Sequence, residues 1–261
     1  MNKGEIMKYF YTLLLAAALF LVACGDDGSD DFIVKGGVIS YPEDDLSSSS
    51  GRGRSSSSYY NPALNLDSIN MLPPCRTEGV DNCEYGKLVD TRDGQTYKTV
   101  VVGEQVWMAE NLNYMTDSSG CYEDRIDYCD DYGRLYLWSE AMQVCPAGWH
   151  LPSLNEWKAL YISAGGLETS ASRLRADYDW SYSSVGTDDY GFSVLPGGAY
   201  RTDWYNAFIE MRSTAYFWTS TEKLDPDELR MYNICFDKRD EIIDGNSSVI
   251  GNMFSVRCVK D

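Results

Sequence analysis

Histidine and closely spaced cysteines, the side chains that most often hold zinc, are scarce in this sequence. The only histidine is His150, and no two cysteines have Cys-x-x-Cys spacing. Structural zinc sites usually use such close pairs, so no metal site is predicted. Nucleophilic catalysis would need His150 together with a distant serine and carboxylate, and no local motif supplies them. We therefore interpret His150, in the turn Trp149–Pro152, as a structural residue.

Positive charge is also scarce. The chain has 22 lysines and arginines against 40 aspartates and glutamates, a net charge of −18. This balance repels nucleic acid and anionic lipid, which disfavours both as partners. No cofactor is predicted. Loop carboxylates leave calcium binding open, although solvated loops are the favoured interpretation of them: Asp188, Asp189, Asp225, Asp227 and Glu228.

The sequence has no apolar run of the about 20 residues that a membrane-spanning helix needs. A shorter apolar run, Tyr9–Val22, follows Lys3 and Lys8 and leads into Ala23-Cys24. This order predicts a signal peptide over residues 1–23 and lipidation at Cys24. The mature protein is then expected on the outer membrane, held by lipid. Four aspartates follow and either direct it to the cell exterior or form a plain solvated tether: Asp26, Asp27, Asp30 and Asp31.

Composition divides the rest of the chain into a tether and a domain. In residues 24–83, the serine blocks Ser47–Ser50 and Ser55–Ser58 flank Gly51–Arg54. Such a stretch lacks the apolar residues that offset its ordering entropy, so a lipid-anchored, disordered spacer is predicted. Over residues 84–261, aromatic and β-branched residues are frequent, which predicts one folded domain.

Local patterns in residues 84–261 predict an α+β fold, with strands first, then helices, then strands again. The clearest helix follows Ser153, which forms a capping box with Glu156. A second helix is predicted over Leu135–Val144 from its apolar spacing. The predicted strands are Lys87–Asp90, Tyr97–Val102, Gln105–Met108, Gly191–Pro196, Ala215–Ser220, Arg230–Phe236 and Phe254–Val259.

Most of the eight cysteines are expected to form disulfides, because an exported chain enters an oxidising compartment. With Cys24 assigned to lipid, Cys75 is expected to pair with Cys83, and Cys121 with Cys129. Three cysteines remain, so one thiol is expected to be free, and the pairing among them stays open here: Cys145, Cys235 and Cys258.

Aromatic residues are concentrated in a glycine-rich segment near the middle of the domain. Their rings could cover the apolar faces of sugars while neighbouring polar groups bind hydroxyls. The alternative is that the rings pack this segment onto the domain. Five residues are candidates for ligand binding: Trp180, Tyr182, Tyr200, Trp204 and Tyr205.

Six runs of sequence, in order over nearly all of residues 84–261, resemble the Fibrobacter succinogenes major paralogous domain. Members of that family are exported and often surface-anchored, and their biochemical activity is largely undefined. The resemblance therefore implies a surface protein without naming its ligand. The runs are Asp93–Val100, Trp107–Tyr114, Tyr132–Tyr136, Cys145–Ser153, Gly191–Gly198 and Ser255–Asp261.

A more distant resemblance is to the C-type lectin fold. This resemblance depends on the order of four features: a helix ending in cysteine, a helix starting near Glu-Trp, a Trp-Thr strand and a cysteine in the last strand. This resemblance implies short antiparallel strands, two to three helices and long loops. It also implies a disulfide between Cys145 and Cys258, which would leave Cys235 as the free thiol. The sugar-binding triplets of calcium-dependent lectins, such as Glu-Pro-Asn, are missing, so that sugar site is not expected.

Together these features favour a non-enzymatic surface module for binding or adhesion. Plant cell-wall polysaccharide or a surface protein is the expected partner. One alternative is a carbohydrate-active or sulfatase-modifying-like enzyme with an unlocated site. The sulfatase-modifying fold uses reactive cysteines, but Cys235 lies in an apolar strand, where a buried thiol is usually inert. The other alternative is a structural envelope protein.

Overall fold

The computed structural model describes residues 72–77, 80–181, 185–203, 206–223, 229–237 and 242–261. The predicted signal peptide, the lipidation of Cys24 and most of the predicted tether lie outside these residues. Within them, strands and helices are mixed, as predicted for an α+β fold. None of the helices in these ranges combines the length and apolarity that a membrane crossing requires.

A five-stranded antiparallel sheet joins the two ends of the domain. Residues Thr96–Val102 largely alternate between exposed and buried, and their β-branched side chains suit a half-buried strand. Val259 pairs with both Trp107 and His150, so the last strand lies between earlier ones. In spatial order the strands are β3 (Gly86–Val89), β4 (Thr96–Val102), β5 (Gln105–Met108), β14 (Val259–Lys260) and β7 (Trp149–His150).

Two smaller antiparallel sheets and one hairpin contain the other strands. The three-stranded sheet consists of β10 (Ala215–Lys223), β11 (Arg230–Phe236) and β12 (Ile242–Val249). The four-stranded sheet consists, in spatial order, of β6 (Tyr136–Leu137), β13 (Met253–Phe254), β8 (Ala199–Arg201) and β9 (Ala207–Ile209). The hairpin pairs β1 (Arg76–Thr77) with β2 (Val80–Asp81).

Four α-helices occur in the described residues: α1 (Ile126–Tyr132), α2 (Trp138–Val144), α3 (Leu154–Ser163) and α4 (Leu167–Leu174). The prediction for α3 is confirmed. The Ser153 hydroxyl accepts from the Glu156 backbone, and the Glu156 carboxylate accepts from the Ser153 backbone at 2.7 Å. Helix α4 was not predicted, because its sequence is mostly polar and Gly165-Gly166 resembles a helix stop.

Large aromatic rings dominate the core. In one cluster, the ring of Trp157 lies 4.9 Å from that of Trp107 and 5.3 Å from that of Phe217. In a second cluster, Trp218 packs 4.3 Å from Phe254. Such rings bury about 150–250 Å² each, so a fold with short strands can obtain its apolar burial from a few side chains.

Three predicted elements differ in the structure. The predicted helix Leu135–Val144 begins only at Trp138, because the two residues before it pair with β13. The predicted strand Gly191–Pro196 is wrong, since the segment is a loop whose carbonyls at two positions accept hydrogen bonds from Arg257. The predicted strand Phe254–Val259 is divided between β13 and β14.

Residues before Glu84 also contact the domain, although composition assigns them to the tether. The backbone amides of Cys75 and Arg76 donate to the Asp189 carbonyl at 2.8 and 3.1 Å. The Tyr190 hydroxyl donates to the Leu72 carbonyl at 3.0 Å. We call residues 72–77 and 80–85 the N-terminal strap. It forms one wall of the site described next.

Candidate functional site

A cleft of about 430 Å³ is the candidate functional site. Five segments that are distant in sequence line it: the N-terminal strap, β4, the loop after β5, the end of α1 and the loop before β8. Its lining is mostly polar and includes several tyrosines. A concave surface where polar groups and aromatic rings converge is the usual form of a small-ligand site.

Arg76 attaches the strap to the cleft. One guanidinium nitrogen lies 2.8 Å from the fully buried carboxylate of Asp188, and another lies 2.8 Å from Asp81. Burial alone would lower the pKa of Arg76, but the hydrogen bond to Asp81 and the charge of Asp188 raise it. The Cys75–Cys83 disulfide closes the strap around this arginine. The disulfide thus closes the strap on itself, and the partly buried ion pair attaches the strap to the loop that contains Asp188.

Ser193 lines the cleft, and the neighbouring Asp188 holds it in place. Both are non-glycine residues with positive φ, 53° for Ser193 and 48° for Asp188. The Ser193 amide and hydroxyl donate to the Asp188 carboxylate at 2.7 and 2.6 Å. Burial raises the pKa of Asp188, and these two donors oppose the rise. Backbone strain of this kind persists where the surrounding contacts determine it, and it concentrates at functional sites.

Arg257 lies buried next to the cleft and binds segments that form its walls. Its side chain is fully buried and donates to Asn111 Oδ1 at 2.8 Å, to the Ser193 carbonyl at 2.6 Å and to the Phe192 carbonyl. The Asn111 amide in turn donates to the Tyr132 carbonyl at 2.8 Å. Burial lowers the pKa of Arg257 to about 10. The planar guanidinium suits this task because it can serve several acceptors at once.

Tyrosine rings face the cleft. Tyr178 has 53% of its surface exposed, and Tyr85 is half-buried. The Lys98 ammonium lies 5.2 Å from the centre of the Tyr85 ring. Gly191 allows the close approach of this ring, since a Cβ at that position would lie 2.4 Å from the Tyr85 hydroxyl oxygen. These rings offer flat apolar faces beside hydrogen-bonding groups.

The cleft differs from the ligand site that the aromatic segment predicts. Trp180 is only 5% exposed, and its indole N–H donates to the Val194 carbonyl at 3.1 Å. It is therefore a core residue, and its assignment as a ligand-binding ring is wrong. Tyr200 lies in β8 and packs its ring 5.0 Å from Phe208, away from the cleft lining. The other three candidates lie outside the described residues: Tyr182, Trp204 and Tyr205.

Sequence reasoning missed the residues that do line the cleft. A signal for them was present, because four of the six runs that carry the family resemblance contribute to the lining. Those runs are Asp93–Val100, Trp107–Tyr114, Tyr132–Tyr136 and Gly191–Gly198. A fifth run contains Arg257, which joins two of them. Convergence of separate motifs on one space could not be seen without the tertiary structure.

The described cysteines form three disulfides with both partners in the described residues: Cys75–Cys83, Cys121–Cys129 and Cys145–Cys258. Each is a pair expected from the sequence or from the lectin resemblance. The prediction of a free thiol at Cys235 is wrong, because this sulfur is disulfide-bonded.

His150 lies between two carboxylates away from the cleft. Its Nδ1 is 2.7 Å from Asp261, and its Nε2 is 2.7 Å from Glu156. Burial would lower the pKa of His150, but the hydrogen bonds to both carboxylates outweigh it and raise the pKa. The Ser153 hydroxyl donates to Glu156 rather than to the imidazole, so the arrangement is a structural clamp at the start of α3.

The described residues contain no group of three or more His, Cys, Asp or Glu side chains arranged to hold a metal ion. Asp188 and Asp189, two of the loop carboxylates considered for calcium, are instead paired with Arg76 and Arg173. Three further loop carboxylates lie outside the described ranges: Asp225, Asp227 and Glu228.

Comparison with known proteins identifies the family. A comparison with curated proteins found no match, and a comparison with solved structures found none either. A sequence model of the Fibrobacter succinogenes major domain matches residues 100–260, which include most of the cleft lining, Arg257 and the Cys145–Cys258 disulfide. Because this match covers more than half of the chain, the chain belongs to the Fibrobacter succinogenes major domain family.

Proposed function

We propose that this protein is a cell-surface module that binds carbohydrate in the cleft and catalyses no reaction. One observation carries the proposal: the exposed ring of Tyr178, the ring of Tyr85 and several polar side chains line the same 430 Å³ space. Sugars present both apolar ring faces and hydroxyl groups, so a site for them needs aromatic surfaces next to donors and acceptors. Plant cell-wall polysaccharide is the proposed ligand.

The cleft is suited to binding without rearrangement. Arg76 and Asp188 fix its walls through a partly buried ion pair, and Arg257 does so through buried hydrogen bonds. A preformed site loses little conformational entropy when a ligand enters. Its polar groups are also held by neighbours on several elements, which is typical of a binding surface supported by a rigid fold.

A C-type-lectin-like arrangement is part of this proposal. It is supported by the Cys145–Cys258 disulfide, which joins the end of α2 to the segment before β14. The proposed location is the outer membrane, with the lipid on Cys24 as the anchor and the domain facing the exterior. This location is supported by the order of charged, apolar and cysteine residues at the start of the sequence.

A glycan array of plant cell-wall oligosaccharides, probed with the full chain, tests the proposal. We expect retention of at least one glycan class, and about five-fold weaker binding after Tyr178→Ala, since a stacked ring contributes about 1 kcal/mol. Tyr200→Ala is the matched control, because this tyrosine lies outside the cleft. Absence of glycan binding, or unchanged binding by the Tyr178 variant, would refute the assignment. Release of shortened glycans would instead support the enzyme alternative.

A further inference from the structure

The charged groups of the cleft are unevenly paired. Among the described residues, two cations, Arg76 and Lys98, and three carboxylates line it. Arg76 forms ion pairs with Asp188 and Asp81, neither of which belongs to the lining. The carboxylates of the lining are Glu110, Asp130 and Asp131. Within the described part of the lining, Lys98 therefore faces three carboxylates.

The backbone that carries these carboxylates is held in place, and the carboxylates remain open to solvent. Glu110 follows β5, and one of its oxygens accepts from the Lys98 backbone amide at 2.6 Å. Asp130 and Asp131 lie in the last turn of α1, next to Cys129. The Cys121–Cys129 disulfide fixes that end of the helix. All three are exposed, and none forms an ion pair with a described residue.

We infer that Glu110, Asp130 and Asp131 determine the charge selectivity of the cleft. Uncharged glycan chains enter it, whereas chains that carry a carboxylate or sulfate on each sugar are rejected. A ligand that lies against Tyr178 and Tyr85 displaces the water that would screen these charges. Like charges brought together in this way repel each other and weaken binding. The inference rests on the proposed carbohydrate binding, and it narrows the ligand to neutral polysaccharide.

The test compares two oligosaccharides of equal length, a neutral xylo-oligosaccharide and an oligogalacturonate, by titration calorimetry with the full chain. At low salt we expect the affinity for the neutral chain to be at least about ten-fold higher than the affinity for the acidic chain. The preference should decrease at high salt, because exposed charges are then screened. The triple variant Glu110→Gln, Asp130→Asn, Asp131→Asn should bind the acidic chain at least several-fold more tightly, so that the ratio of the two affinities moves toward one.

A matched control separates the cleft from the net charge of the molecule, which itself repels acidic chains. The variant Glu104→Gln, Asp117→Asn, Glu222→Gln removes the same number of charges at exposed positions outside the lining. It should retain the preference. An equal change in both triple variants, or equal binding of both oligosaccharides by the unmodified chain, would overturn the inference while leaving carbohydrate binding intact. If neither oligosaccharide binds and no glycan on the array retains the protein, the proposed function is overturned as well.

Discussion

Removal of the Cys145–Cys258 disulfide is expected to destabilise this protein more than removal of any short-loop disulfide. Cys145 caps the end of α2, and Cys258 lies fully buried before β14. The bond joins residues 113 positions apart, whereas Cys121 and Cys129 are 8 positions apart. The long loop contains α3, α4 and the entire three-stranded sheet.

The expected magnitudes follow from the entropy of closing each loop in the unfolded chain. At 25 °C the chain-entropy relation gives roughly 4.8 kcal/mol for the long loop and roughly 2.5 kcal/mol for the short loop. Cys258 and Cys129 are both buried, so the loss of apolar sulfur contact contributes to each variant. The difference of about 2 kcal/mol is therefore the more informative quantity.

Urea unfolding of two double variants measures this difference. The variant Cys145→Ala, Cys258→Ala is compared with the control Cys121→Ala, Cys129→Ala, both under non-reducing conditions. The free energy of unfolding is extrapolated to water for each. We expect the first variant to lose clearly more stability than the second. Equal losses, or a larger loss in the control, would refute the loop-length argument.

Three further predictions concern single residues. Arg257→Lys should lower the free energy of unfolding by about 3 kcal/mol, because an ammonium cannot replace a guanidinium that serves several buried acceptors; an unchanged urea midpoint would contradict this. The stabilisation lost in His150→Gln should depend on pH. Because the folded pKa of His150 is raised, its contribution is full below the unfolded value of about 6.5 and disappears as the pH rises through the folded pKa. A pH-independent difference between the two proteins in thermal melts would contradict the clamp. Gly191→Ala and Gly148→Ala both place a side chain at positive φ, 65° and 81°, but only the first meets another group, the Tyr85 ring. Gly191→Ala should therefore lower the melting temperature more than the control Gly148→Ala. The control should lose only the backbone cost of a positive φ, about 1–2 kcal/mol in the free energy of unfolding.

Elements set by neighbouring residues could be predicted from the sequence. The capping box before α3 depends on two residues three positions apart. The β4–β5 hairpin depends on alternation and on the turn between Val102 and Gln105. In both cases the interacting groups are close in the chain, so the local pattern contains the relevant energetics.

Elements set by distant contacts were predicted incorrectly or missed. Gly191–Pro196 has the composition of a strand, but a buried guanidinium about 65 positions later binds its carbonyls and holds it as a loop. Trp180 lies in an aromatic, glycine-rich segment that suggests an exposed binding surface. Its indole N–H nevertheless donates to the Val194 carbonyl in the interior. Whether a ring is exposed depends on what packs over it, and periodicity does not report that for an irregular segment.

The sequence by itself determined the α+β class, the helix α3, the principal strands and the family, because these follow from local pattern and motif. The tertiary structure alone decided where a ligand can bind. The cleft is formed by five separate segments, and Arg257 reaches Asn111 across 146 positions of sequence. Sequence spacing contains no information about such contacts, since they form only when the chain folds and the buried charge must find its acceptors.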